Sequence, residues 1–211
     1  SNNLITGINS NQSANGIYIG IGSNNNALTN ITANLNGHAI QISESYNNTL
    51  TGLTASDGGG LYIRFSSNNM VTGLTVNSNS EGSGILLESS SDNTIADITT
   101  NSNNYGIFIG SGSDNNNLTG ITANSNGDSG IYIESGSNNT LSEITTNFNN
   151  RQYAIVLAGA NNNRLTGITA TENRRGIYLS GSSNNSFTEI INSNTEEDGI
   201  ILESSSNNTF R

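Results

Sequence analysis

One unit of about 23 residues recurs along the whole chain, and that repetition limits the fold more than any other feature. Nine repeats, 1–22, 23–45, 46–66, 67–90, 91–112, 113–136, 137–160, 161–182 and 183–205, are followed by the start of a tenth at 206–211. Self-similarity at this period marks a solenoid, in which each unit buries its apolar face only by stacking on its neighbours. Aligning the repeats gives unbroken aliphatic columns. One runs Ile5, Leu28, Leu50, Val71, Ile95, Leu118, Leu141, Leu165, Phe187, and a second, three residues on, contains Ile31, Leu74, Ile121 and Ile168. A Gly-led strand adds two more, through Ile40, Ile85, Ile131 and Ile177 and through Ile42, Leu87, Ile133 and Leu179. Four buried aliphatics contribute roughly 6–12 kcal/mol per coil, less than the cost of ordering 23 residues at about 1–2 kcal/mol each. A single coil therefore cannot stand alone.

Two solenoids fit the period. The spacing Leu118-x-x-Ile121-x-Ala123-x-x-Asn126 matches a leucine-rich repeat. The return segment, GIYIESGSNN at 130–139, alternates β-branched and turn-forming residues and suits a strand. The expected fold is thus all-β: a single-stranded right-handed parallel β-helix, nine coils of about 23 residues plus part of a tenth, with coils ~4.8 Å apart. Asn36, Asn79, Asn103, Asn126, Asn149 and Asn173 share one position, and Asn48, Asn69, Asn93, Asn139, Asn185 and Asn208 another. Amides both donate and accept, so such columns can bond along the axis. Tolerance of left-handed turn geometry accounts for part of the second column.

The unit resembles the right-handed parallel β-helix repeat of the NosD and pectate-lyase-like family, on Asn139–Thr145 and Gly130–Ile133. The asparagine-rich form resembles archaeal cell-surface proteins. The resemblance implies fold rather than activity, because the family spans polysaccharide lyases and hydrolases, a copper-maturation protein and purely structural surface domains.

Composition narrows the partners. Only 32% of residues are hydrophobic, the net charge is −10, and Cys, Pro and Lys are absent. Such a chain suits neither nucleic acid nor anionic membranes, and no apolar run reaches the ~20 residues of a membrane span. His38 and Met70 read as incidental, since copper sites need clusters of such residues. Glu88 and Glu134 share a column with Gly110 between them, as do Asp97, Glu143 and Glu189 with Gly120 and Gly167. Skipping a coil relieves like-charge stacking, and two coils put the carboxylates ~9.6 Å apart, at the far edge of the inverting-glycosidase range. Arg64 should pair with Glu88, and Arg174 and Arg175 with Glu197 and Asp198. Glu196, Glu197 and Asp198 are hard-oxygen ligands that suit calcium, but a solvated acidic loop is the simpler reading, and no cofactor is expected.

Two surface features point to partners. Tyr18, Tyr62, Leu86, Phe108, Tyr132, Val156, Tyr178 and Ile201 occupy the outward position of the Gly-led strand, an apolar stripe some 40 Å long by the ~4.8 Å spacing. A stripe of that size marks an interface, and tyrosines suit sugar rings or a protein. Outward threonines such as Thr51, Thr72, Thr119 and Thr166 resemble ice-binding faces but equally suit any wet strand. The ends, Ser1, Asn2, Asn3 and Asn207, Asn208, Thr209, Phe210, Arg211, stand in phase with the repeat and carry no polar cap. The leading expectation is therefore a non-enzymatic extracellular or cell-surface structural protein, 1–211 as one uncapped domain, stacking head to tail into a homopolymer. The alternative is a carbohydrate-binding or carbohydrate-processing β-helix whose stripe meets cell-surface glycans.

Overall fold

The computed structural model describes residues 2–79, 82–149, 151–193 and 195–211; Ser1, one of the expected end residues, lies outside them. The fold is an all-β parallel solenoid of about nine turns. Each coil contributes one long strand to an eleven-stranded sheet and one Gly-led strand to a nine-stranded sheet. All pairings are parallel, and they join equivalent repeat positions: Leu118 with Leu141, Ile121 with Ile144, Ile131 with Ile155. Between the sheets the four aliphatic columns form one continuous core, nearly all of it inaccessible to solvent.

Residues with positive φ explain both the coil's shape and its odd three-residue spacing. They fall into four columns that recur from coil to coil among the described residues. Gly7, Asn30, Gly52, Gly73, Asp97, Gly120, Glu143, Gly167 and Glu189 form the first, with φ between 54° and 67°. A left-handed residue interrupts strand alternation, so Leu118 and Ile121 both point inward although three positions separate them. Glycine enters this conformation freely, whereas an L-residue pays about 1–2 kcal/mol. The Asp97–Glu143–Glu189 column is thus a bend in the backbone, not a row of reactive groups. The other three columns pass through Ser125, Ser135 and Asn138 in the central repeat and turn the chain between strands.

Immediately after that last column lies the main ladder. Asn3, Asn26, Asn48, Asn69, Asn93, Asn116, Asn139, Asn163, Asn185 and Asn208 stack from the first coil to the last. Each Oδ1 accepts from the backbone N–H and the Nδ2 of the preceding coil's asparagine, at 2.8–3.2 Å. Turn tolerance does not explain this column. The left-handed residue is the one before it, while Asn48 to Asn185 are buried and fully bonded. A second ladder joins Asn79, Asn103, Asn126, Asn149 and Asn173 through backbone N–H to Oδ1 bonds of 2.8–3.0 Å. In the third coil its position is taken by Gly58.

The end residues follow the repeat. Asn207 has a left-handed φ, Asn208 closes the ladder, and Thr209–Phe210 pairs with the strand Ser186–Ser193 while the Phe210 ring stacks on Phe187. Asn2 has φ 98°, and Arg211 donates its backbone N–H to Phe187.

Truncating Asn116 to alanine leaves the Asn93 backbone N–H without its acceptor and removes the bond to Asn139. We expect a loss of about 3 kcal/mol, from roughly 1–3 kcal/mol per orphaned buried group, read as a lower urea midpoint; Asn117→Ala, on the exposed neighbour, should change stability by less than about 0.5 kcal/mol.

Candidate functional site

The outer face of the nine-stranded sheet carries three outward columns. The middle one is the apolar stripe: Tyr62, Leu86, Phe108, Tyr132, Tyr178 and Ile201 are half-buried, Tyr18 is 55% exposed, and Val156, in register between Tyr132 and Tyr178 on the groove, is 3% exposed. The other two columns flank the stripe, and sequence reasoning did not resolve the first of them. At the strand's start, register brings His38, Ser83, Tyr105, Ser129, Tyr153 and Arg175 into line. Gly59 holds that place in the third coil, where its carbonyl bonds the Ala39 N–H. Large rings are thus separated by small residues: Gly59 and Ser83 together leave a gap between His38 and Tyr105, and Ser129 leaves one between Tyr105 and Tyr153. At the strand's end lie Arg64, Glu88, Glu134 and Glu203.

Three cavities follow from this difference in size and run along the axis. The first, about 470 Å³, is lined by His38, Asp57, Gly58–Gly60, Tyr62 and Leu86. It opens where the second asparagine ladder is interrupted. A Cβ on Gly59 or Gly60 would overlap the backbone of the neighbouring coil, so only glycine permits this approach. The second, about 570 Å³, lies against Leu86, Tyr105 and Phe108 and has Glu88 and Glu134 on its rim with Gly110 between. The third, about 420 Å³, is lined by Tyr105, Asp128, Tyr132, Tyr153 and Tyr178. Shared residues join them into one groove.

Ring contacts stiffen the groove. Phe108 stacks on Tyr132 at 5.2 Å, and Tyr105 meets both edge-on at 5.4 and 5.5 Å. Tyr153 stacks on Tyr178 at 4.9 Å, and His38 tilts against Tyr62 at 5.1 Å. His38, which had read as incidental, is thus part of a cavity wall; Met70 stands apart, exposed on the long-strand sheet.

The carboxylates are held unequally. The Tyr62 hydroxyl donates to Glu88 one coil on, and the Arg64 guanidinium lies 3.3 Å from the same carboxylate, as the register predicts. Tyr178 donates to Glu203 at 2.7 Å in the equivalent way. Glu134 stands one coil beyond Phe108, which has no hydroxyl to give, and has no hydrogen bond or ion pair among the described residues. Burial and then the neighbouring Glu88 push the Tyr62 phenol up to about 12. Burial lowers the His38 imidazole below its ordinary value, and burial likewise raises Tyr105 and Tyr132. At neutral pH the imidazole is therefore uncharged and the phenols keep their protons.

The acidic loop expected to suit calcium is otherwise engaged. Glu197 binds Arg174 at 2.8 Å and also Arg175, so a cation there would have to displace two guanidiniums. Asp198 takes its part through its backbone carbonyl, which accepts from Gly176. Among the described residues no group of three His, Cys, Asp or Glu is arranged to hold a metal, and no helix is long and apolar enough to cross a membrane.

The architecture is shared with known proteins. An alginate lyase from Paenibacillus sp. superposes with a TM-score of 0.65 at 16% identity, over 97% of this chain and 79% of the lyase. A mutant of a periplasmic alginate epimerase gives 0.63 at 16% identity over 87% of this chain. The A-module of a mannuronan C-5 epimerase from Azotobacter vinelandii gives 0.50 at 13% identity, over 99% and 80%. This chain spans 58% of the periplasmic epimerase. No curated sequence matches it. The expectation of a non-enzymatic protein is corrected by this finding, since these similar structures are polysaccharide-processing enzymes. A model of the right-handed β-helix region matches residues 1–145 and 113–211, and the chain belongs to that family.

Proposed function

We propose that the protein binds and processes a polysaccharide laid along the groove of the nine-stranded sheet. The observation that carries this reading is the run of three joined cavities walled by aromatic rings and edged by carboxylates. Aromatic faces take up the C–H faces of sugar rings, and carboxylates and tyrosine hydroxyls bond their hydroxyls. Coils ~4.8 Å apart offer one set of contacts for each step of an extended chain. The likeness to alginate epimerases and a lyase supports this reading rather than a self-stacking filament. The periplasmic epimerase among them is consistent with a place outside the cytoplasm or at the cell surface.

Chemistry on the bound chain falls to Glu88 and Glu134, which rim one cavity. Two coils separate them by ~9.6 Å, close to the spacing that leaves room for a water beside a glycosidic bond. Glu88, held by Arg64 and Tyr62, is placed to activate that water. Glu134, free of such partners, stands on the opposite rim, on the leaving-group side of the bond.

Phe108→Ala and Tyr132→Ala should each weaken binding of a recognised oligosaccharide by about tenfold in titration calorimetry, with no change in the pairing of the sheets by circular dichroism. Glu134→Gln should retain binding and lower release of reducing ends by about 10²–10⁴-fold; unchanged release would dismiss the assignment. Tyr62 gives a pH signature. A tyrosine in the unfolded chain titrates near 10, and the folded phenol holds its proton to about 12. Unfolding therefore releases a proton between those values, and stability declines as pH rises through that window. Tyr62→Phe should flatten that decline in urea titrations.

A further inference from the structure

We infer that the groove selects a glycan whose sugars carry protonated amino groups and rejects the uronate polymers handled by the proteins it resembles. The inference rests on the proposed glycan-binding role and concerns the charge of the occupant. The three cavities are lined by four carboxylates, Asp57, Glu88, Asp128 and Glu134, and by no arginine. The chain has no lysine to supply a cation elsewhere along the groove.

Three arginines near the sheet, Arg64, Arg174 and Arg175, are committed, while Arg151, just before Tyr153, makes no ion pair among the described residues. Arg64 sits on Glu88 and over the Phe65 ring at 4.8 Å. Arg174 and Arg175 share Glu197, with Arg175 also over Tyr153 at 5.4 Å. His38, held neutral by burial, adds no compensating charge at neutral pH. A polyuronate carries one carboxylate on every sugar, so each step along the groove would set like charges facing each other with no cation between them. Proton abstraction beside a sugar carboxylate needs a cation to neutralise that carboxylate, and the lining residues provide none.

An ammonium group meets the opposite situation. Glu134 is free because Phe108 replaces the tyrosine that would otherwise donate to it. Its carboxylate lines the same cavity as Tyr105 and Phe108. A protonated amine there gains a charge-assisted hydrogen bond and the negative faces of the rings. Asp128, which accepts from the Ser129 hydroxyl at 3.0 Å and lies against the Tyr105 phenol, places a second carboxylate beside Tyr132 and Tyr153 in the third cavity. Asp57 does so in the first.

The test is binding of the full chain, by titration calorimetry at mildly acidic pH, to three probes of equal length: a glucosamine oligomer, its fully N-acetylated form and an alginate oligomer. The expected order is glucosamine at least tenfold tighter than the acetylated form, with no measurable binding of alginate. High salt should remove about a factor of ten from the first and leave the second unchanged. The double variant Glu134→Gln, Asp128→Asn should erase the difference between the first two, whereas Phe108→Ala should weaken both equally. Equal or tighter binding of the acetylated form, or any comparable binding of alginate, overturns the inference and leaves glycan binding standing. If the folded protein binds none of the three, both the inference and the proposed function fail.

Discussion

The structure depends on a hydrogen bond made between side chains of identical position in successive coils. Each asparagine of the main ladder offers its oxygen to the coil before and its amide hydrogens to the coil after. A turn backbone curves away from the sheet ladders, and its buried N–H groups would otherwise lack partners. The ladder supplies those partners at every level, so a chain with only 32% hydrophobic residues still closes a dry core. It also fixes register, because a coil that slips by one residue loses the ladder, the aliphatic columns and the left-handed corners together.

Constraint on the inside leaves the outside free to vary. Core columns hold aliphatics apart from Phe187, and corner columns hold mostly glycine, asparagine or other polar residues. The outward positions of the Gly-led strand meet no such requirement. There the repeat departs from itself, with tyrosine replaced by phenylalanine at 108, three glycines at 58–60, and small serines beside Tyr105 at 83 and 129. The groove is assembled from these departures. Its boundaries follow the breaks in the repeat, and the cavity at Gly58–Gly60 coincides with the one place where the second ladder gives way.

That division explains what could be read from the sequence. The aliphatic columns, the parallel register and the Arg64–Glu88 pair were legible because stacking turns sequence period directly into spatial adjacency. The apolar stripe was legible for the same reason, with Val156 buried in register between Tyr132 and Tyr178. The cavities were not, because they arise from the difference in size between neighbours in an adjoining column. Following His38, Gly59, Ser83, Tyr105, Ser129 and Tyr153 by volume rather than polarity would have exposed them. The left-handed bend at Gly120 was present as a three-residue interval, but its meaning depends on φ. Reading the carboxylates of that bend as a like-charge pattern missed that they turn the backbone. The expectation of a non-enzymatic filament came from the uncapped look of the ends, whose phase with the repeat carries no information about chemistry on the outer face.

The asparagine ladder has one more property: it points. Every bonded ladder oxygen accepts from the coil of lower number, and the amide nitrogens from Asn3 to Asn185 donate to the coil of higher number, those of the inner coils also donating back to a backbone carbonyl of the preceding coil. The side-chain dipoles therefore add along the rod rather than cancel, much as peptide units do in an α-helix. Their negative pole lies toward the first coil. A charged polymer lying along the rod would meet a potential that differs between its two ends.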